Sequence, residues 1–238
     1  MSDPPSPLAG AVIAFDLDGT LADTAPDLIA TLNVLLDEEG LQPLGLDAAR
    51  PFIGRGARWL IERGFQAANA RLEAGRMPEL FDRFIARYEA HIADHSRPFP
   101  GVVAALRALQ ADGARLCVCT NKLTGLSNRL LDALGLGPFF QAVVGADAVA
   151  AAKPDPRHLL SAIQAAGGRR DRAIMVGDAA TDAGAARAAG VPLILVSFGY
   201  TETPARELGP DILIDHFDQL PDACARLLSA CEPEAAGL

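Results

Sequence analysis

The stretch Ala11-Val12-Ile13-Ala14-Phe15-Asp16-Leu17-Asp18-Gly19-Thr20-Leu21 decides how this chain folds. Five apolar residues in a row read as a strand buried on both faces, the kind that parallel sheets use. The run stops at two carboxylates spaced i, i+2, which share one face if the strand continues. Gly19 and Thr20 then turn the chain. Both acids therefore fall at the carboxyl end of the first strand, the edge on which open α/β sheets bind ligands. A solvated turn explains most isolated Asp-x-Asp pairs, but the rest of the chain argues against it here.

Outward from this strand, apolar runs alternate with amphipathic or alanine-rich segments of helical length. Strands are expected at Val12 to Asp16, Arg115 to Thr120, Ala142 to Gly145, Ala173 to Gly177, Leu193 to Val196 and Ile212 to Ile214. Helices are expected at Val102 to Ala111, Leu123 to Leu134, Pro156 to Ala166, Asp182 to Ala189 and Asp218 to Ala230. The alternation predicts an α/β fold with a doubly wound parallel sheet, of flavodoxin-like type, covered by helices on both faces. Residues 22–97 break the pattern. Leu28, Leu32, Leu35 and Leu36, then Trp59, Leu60, Ile61 and Phe65, then Leu80, Phe81, Phe84, Ile85, Tyr88 and Ile92 recur at helical spacing. This insertion reads as a helical cap hung from the loop after the first strand, with hinges near 22–24 and 96–100. The core is then 11–21 with 98–230, and 1–10 and 231–238 are expected to be flexible.

Composition narrows the function. The 238 residues are half hydrophobic, ordinary in glycine and proline, and carry a net charge of −9. They suit a soluble globular protein and argue against nucleic acid or an anionic membrane as partner. No signal-like start and no charge-free run of membrane-spanning length is present, so the expected location is the cytoplasm. Cys117 and Cys119 alternate on one strand as buried free thiols, and a bridge between Cys224 and Cys231 is not expected in a reducing compartment.

Three further strand ends carry polar groups. Thr120-Asn121 closes the second long strand, Lys153 stands before Pro154 as one of only two lysines in the chain, and Asp178 and Asp182 follow Val176-Gly177. Taken singly these are helix caps, turn formers and a surface lysine. In a parallel sheet, however, all of these ends meet on one edge, so Asp16, Asp18, Asp178 and Asp182 crowd together with Thr120 and Lys153 nearby. Unpaired buried carboxylates require a cation, and an all-oxygen ligand set on a phosphate-binding edge indicates Mg2+.

With Asp16-Leu17-Asp18-Gly19-Thr20-Leu21, Thr120-Asn121, Lys153-Pro154 and Gly177-Asp178 with Asp182 in this order, the chain resembles the haloacid dehalogenase superfamily, in its phosphoglycolate phosphatase-like branch. That resemblance implies a Rossmann-like core with a helical cap and Mg2+-dependent phosphomonoester hydrolysis through a phosphoaspartyl intermediate. Asp16 would be the nucleophile and Asp18 the general acid and base. Thr120, Asn121 and Lys153 would bind the phosphoryl oxygens, and Asp16, Asp18, Asp178 and Asp182 would form the metal site. The segment Phe52-Ile53-Gly54-Arg55-Gly56-Ala57-Arg58 resembles the Gly-rich cap loop of that branch, making Gly54, Arg55, Gly56 and Arg58 candidate substrate contacts. The second Asp argues against a dehalogenase, and a cap without lysine argues against a Schiff-base phosphonate hydrolase. A phosphatase for another small phosphate, or a phosphosugar mutase, stays open, whereas a receiver domain is too short and lacks a cap. The expected partner is a small phosphorylated metabolite, with the protein a monomer or homodimer.

Overall fold

Each of the six apolar runs forms a strand of a single parallel sheet in the computed structural model, which describes residues 6–230. In chain order the elements begin with β1 (Val12–Phe15), β2 (Ala22–Asp23), α1 (Ala25–Glu38), α2 (Leu46–Ala49), α3 (Ala57–Ala67) and α4 (Met77–Ala90). They continue with β3 (Arg97–Pro98), α5 (Val102–Ala111), β4 (Arg115–Cys119), α6 (Thr124–Ala133), β5 (Ala142–Val144) and α7 (Pro156–Ala165). The last are β6 (Ala173–Gly177), α8 (Ala180–Ala189), β7 (Leu193–Val196), β8 (Ile212–Ile214) and α9 (Leu220–Ala230).

The sheet runs β5-β4-β1-β6-β7-β8, every neighbouring pair parallel. Numbered by sheet strand alone, this is 3-2-1-4-5-6, the order of the Rossmann-like core that the resemblance implies, and it differs from the flavodoxin-like type only in the place of the third strand. Alternation dictates parallel pairing and crossovers but says nothing about which side the third strand takes. The two strands with half-exposed ends, β5 and β8, are the edges. This order puts β1 between β4 and β6, where the chain path reverses and leaves a crevice at the carboxyl end of β1.

Side chains alternate across the strands into two apolar layers. Ile13, Phe15, Leu116, Val118, Ile174 and Val176 pack on Leu106 and Leu109 of α5 and Leu220 and Leu228 of α9. Val12, Ala14, Cys117, Cys119 and Met175 pack on Leu159 and Ile163 of α7 and Ala185, Ala186 and Ala189 of α8. Burying a side chain such as Phe15 in such a layer stabilises the fold by about 1.5–3 kcal/mol. The alanine face of α8 lets that helix lie close to the strands that carry the site acids.

A third apolar cluster joins α1, α3 and α4 through Leu28, Leu32, Leu36, Leu60, Ile61, Phe65, Leu80 and Phe84, with Leu126 and Tyr200 of the core packed against it. Trp59, Phe81 and Ile85 of the same helical pattern are only half-buried. The segments read as hinges are not loose. Ala22 pairs with Pro98 and Asp23 with Arg97 in an antiparallel ribbon, and the buried Asp27 carboxylate accepts hydrogen bonds from His95 N, Ser96 N and Ser96 Oγ.

The expectation of a flexible stretch over 1–10 does not hold for its described part. Leu8 is buried in the first apolar layer, and Pro7 O accepts a hydrogen bond from Arg172. A buried leucine and a hydrogen bond anchor the segment. Residues 1–5 and 231–238, with Cys231 and any bridge to it, lie outside the described residues. Cys117, Cys119 and Cys224 are buried free thiols.

Candidate active site

β1 ends at Phe15, and the next residue already serves the site. Asp16 N donates to Val176 O at 2.9 Å, carrying the sheet pairing one residue further, while Leu17 N donates to Asp16 Oδ1 at 2.7 Å. Gly19 adopts φ +84°, where an L side chain is strained, and a Cβ there would stand 2.5 Å from Asp178 Oδ2. The glycine thus lets the β1 loop turn directly against the β6 loop. Gly177 is needed for a similar reason, since a Cβ there would lie 2.4 Å from the Asp182 carboxyl.

The four acids are all buried. Oxygens of Asp16, Asp178 and Asp182 lie within 4.8 Å of one another. Asp178 Oδ1 accepts from Thr20 Oγ1 at 2.9 Å and its Oδ2 from Tyr200 N at 2.7 Å. Asp182, on the first turn of α8, accepts through Oδ2 from Asp178 N at 3.1 Å and Ala179 N at 3.0 Å. Its Oδ1 meets Lys153 Nζ at 2.6 Å, and the same ammonium lies 3.0 Å from Asp16 Oδ1. Burial pushes the Asp16 carboxyl up to about 7, with Lys153 pulling down and Asp182 and Asp18 pushing up. Asp178 is likewise raised by burial and by Asp182 and Asp16. Lys153 is held charged by Asp16 and Asp182 although burial alone would lower it.

Lys153 precedes a cis peptide bond to Pro154. Its N–H donates to His158 Nδ1 at 3.2 Å, so the proton of that neutral ring sits on Nε2, which donates to Val144 O at 3.0 Å. Burial lowers the His158 pKa and favours this neutral form. The α7 helix therefore fixes the backbone from which Lys153 reaches the acids.

A cleft of about 420 Å3 opens over these groups, with Asp16, Asp18, Thr120, Asn121, Lys122 and Lys153 on the core side and Gly54, Arg55, Gly56 and Arg58 on the cap side. Asp178 and Asp182 do not line the cleft; they gather on Asp16. Thr120 is buried at the end of β4, and its Oγ1 accepts from Lys122 N. Asn121 departs from its expected use. Its Nδ2 donates to Gly54 O and Lys153 O, both at 3.1 Å, so the amide hydrogens join cap loop to core, and its buried Oδ1 has no partner among the described residues. Arg55 and Arg58 are exposed, their guanidinium groups 4.0 Å over the Trp59 ring and 4.4 Å over the Phe81 ring.

Sequence reasoning missed four groups that complete the site. Lys122 Nζ lies 3.1 Å from Asp18 Oδ2 and donates to Tyr88 Oη at 3.1 Å. Thr24 Oγ1 donates to Asp18 Oδ1 at 2.7 Å. Tyr200 donates its N–H to Asp178 and its hydroxyl to Asp23, beside Arg50. One signal for Lys122 was available: both lysines of the chain follow sheet strands, and Lys122 comes directly after Thr120-Asn121.

The donor set fits a small divalent cation. It is all oxygen, and atoms of Asp16, Asp178 and Asp182 lie within 4.8 Å of one another, a span that admits the roughly 4 Å between opposite ligands of an octahedral Mg2+. Fully ionised, four acids against the two buried lysines would leave two negative charges, the deficit one such ion makes good.

Residues 13–196 match the family model of haloacid dehalogenase-like hydrolases. The chain is similar to the phosphoglycolate phosphatase of Caulobacter vibrioides, with 57% identity over 231 residues that cover 97% of this chain and 98% of that one. It is 46% identical over 222 residues to the phosphoglycolate phosphatase of Agrobacterium fabrum, covering 93% and 94%. A solved structure described as a predicted phosphoglycolate phosphatase, from Haemophilus somnus, superposes with a TM-score of 0.83 at 29% identity, covering 90% of this chain and 97% of that one.

Proposed function

The chain belongs to the haloacid dehalogenase-like hydrolase family and is a phosphatase within it, and from that premise we propose that it hydrolyses small phosphomonoesters, 2-phosphoglycolate foremost, with Asp16 as nucleophile. What carries this reading is the meeting of Asp16, Asp18 and Lys153 on one cleft floor, with Asp178 and Asp182 gathered on Asp16. The substrate class is taken from the relatives, named for phosphoglycolate along nearly their whole length.

In this mechanism Asp16 attacks phosphorus, forming an aspartyl phosphate, while Asp18 gives its proton to the departing ester oxygen. The Asp18 carboxylate then takes a proton from water, whose oxygen displaces phosphate and regenerates Asp16. Thr120 and Lys153 bind the phosphoryl oxygens, which carry the developing charge. Asn121, its amide committed to Gly54 and Lys153, acts by positioning the cap loop. Gly54, Arg55, Gly56 and Arg58 form the substrate-facing wall of the cap. The Asp16 carboxylate, the Asp18 backbone carbonyl and the Asp178 carboxylate would hold Mg2+, with Asp182 orienting Asp178 and Lys153. The metal supplies charge neutralisation at the phosphoryl group.

No helix among the described residues is long and apolar enough to cross a membrane, and a cytoplasmic setting agrees with the three unbridged thiols. The test is phosphate release with Mg2+ from 2-phosphoglycolate, sugar phosphates, pyridoxal phosphate, nucleotides and pyrophosphate, compared by kcat/KM. A preference for 2-phosphoglycolate supports the substrate; flat activity removes it and keeps the phosphatase; no release brings the mutase forward.

A further inference from the structure

Lys122 is a buried ammonium for which the hydrolytic steps above have no use. Burial alone would push its pKa down, yet Asp18 and Tyr88 raise it and keep the group charged. Asp18 Oδ2 and Tyr88 Oη, each at 3.1 Å, take two of its three N–H donors. It follows Asn121 in the chain and lines the same cleft as Asp16 and Thr120. The wall facing it from the cap is apolar, with Leu28, Phe84 and Ile85 around Tyr88. The other cations on the cleft are differently placed: Lys153 is held between Asp16 and Asp182, while Arg55 and Arg58 lie exposed on aromatic rings. A solvated guanidinium discriminates weakly between an anion and a neutral group, whereas a desolvated ammonium discriminates strongly.

We propose that Lys122 is the specificity residue for a substrate bearing a carboxylate close to its phosphate, and that this carboxylate takes the ammonium from Asp18 as it binds. The inference rests on the phosphatase reading. In the structure both carboxylate oxygens of Asp18 are engaged, Oδ1 by Thr24 and Oδ2 by Lys122. A carboxylated substrate exchanges one ion pair for another and leaves Asp18 Oδ2 free to face the ester oxygen. A neutral ester offers Lys122 at most a hydroxyl acceptor and no charge to replace that of Asp18, so Asp18 stays held. Recognition and release of the acid are then one event, and the cap takes part through Tyr88.

The experiment compares 2-phosphoglycolate with 2-hydroxyethyl phosphate, of the same length but neutral at its far end, by kcat/KM for wild type and Lys122→Met with Mg2+. The ratio between the two substrates is expected to fall about 30- to 100-fold in the variant, the effect of one charge-assisted contact. Lys122→Gln, which keeps a donor for Asp18 and Tyr88, should lose the ratio likewise and serves if Met at this buried position prevents folding. Equal losses on both substrates would make Lys122 a structural residue and overturn the inference while leaving the phosphatase intact. A wild type that hydrolyses both esters equally would overturn carboxylate recognition alone. A wild type that releases phosphate from neither would overturn the phosphatase reading and this inference with it.

Discussion

Lys153 Nζ lies 2.6 Å from Asp182 Oδ1, and both side chains are wholly buried. The pair links the loop before α7 to the first turn of α8 beneath the candidate nucleophile, and Asp182 also holds the N–H groups of Asp178 and Ala179. Removing Asp182 leaves Lys153 with Asp16 as its one buried counter-ion and strips the Asp178 and Ala179 N–H groups of their acceptor, at a combined cost of about 3–5 kcal/mol. Asp182→Ala should therefore lower the melting temperature by about 6–20 °C in a chain of this size. A shift below about 2 °C in calorimetry would show that the pair is not a structural tie.

Asp16→Asn keeps the shape of the side chain and removes the nucleophilic oxygen. Turnover should fall at least about 10,000-fold, as losses of nucleophiles do, with the circular dichroism spectrum unchanged. Activity within tenfold of wild type would exclude Asp16 as the nucleophile.

The same substitution exposes a linkage to pH. Burial raises Asp16 from 3.8 to about 7 in the folded chain, so between those values the native state keeps a proton that the unfolded chain has released. The stability this contributes is complete below about pH 4 and is lost as pH rises through about 7. Metal-free wild type should thus lose stability relative to Asp16→Asn between pH 4 and 8, measured as the difference of their melting temperatures. Mg2+, which binds the ionised site of the folded chain, should stabilise wild type more at pH 8 than at pH 5. A melting difference that does not change over this range would mean that Asp16 ionises freely.

Much of this site was legible because it sits where a local pattern ends. The runs of β1, β4 and β6 stop directly before Asp16, Thr120 and Asp178, and a parallel sheet brings such ends to one edge whatever the order of its strands; Lys153, nine residues past β5, reaches the same edge through the loop before α7. The strand order itself was not legible, since nothing in Ala142–Val144 says which side of β4 it takes. Lys122 was missed because its burial depends on partners distant in sequence. Tyr88 arrives on α4 and Asp18 after β1, and no spacing rule connects them to Thr120-Asn121. Tyr200 was hidden for the same reason: it serves Asp178 through a backbone N–H that any residue possesses.

Gly19 separates backbone strain from damage to the acidic site. With φ at +84°, alanine there strains the turn, and its Cβ would stand 2.5 Å from Asp178 Oδ2 and 2.9 Å from the Tyr200 ring. Asp178 is held between Thr20 and the Tyr200 N–H, so it cannot yield without losing one of them. Gly19→Ala should weaken the Mg2+ dependence of phosphate release about 10- to 100-fold, the usual cost of displacing groups that orient ligands. Overpacking should also destabilise the fold by about 1–3 kcal/mol. Gly190 provides the control, since it has φ +64° and a Cβ there would meet no atom within 4 Å. Gly190→Ala should cost about 1–2 kcal/mol of backbone strain with an unchanged Mg2+ requirement. If both alanines weaken Mg2+ equally, strain transmitted through the fold is responsible; if only Gly19→Ala does, Asp178 belongs to the metal site.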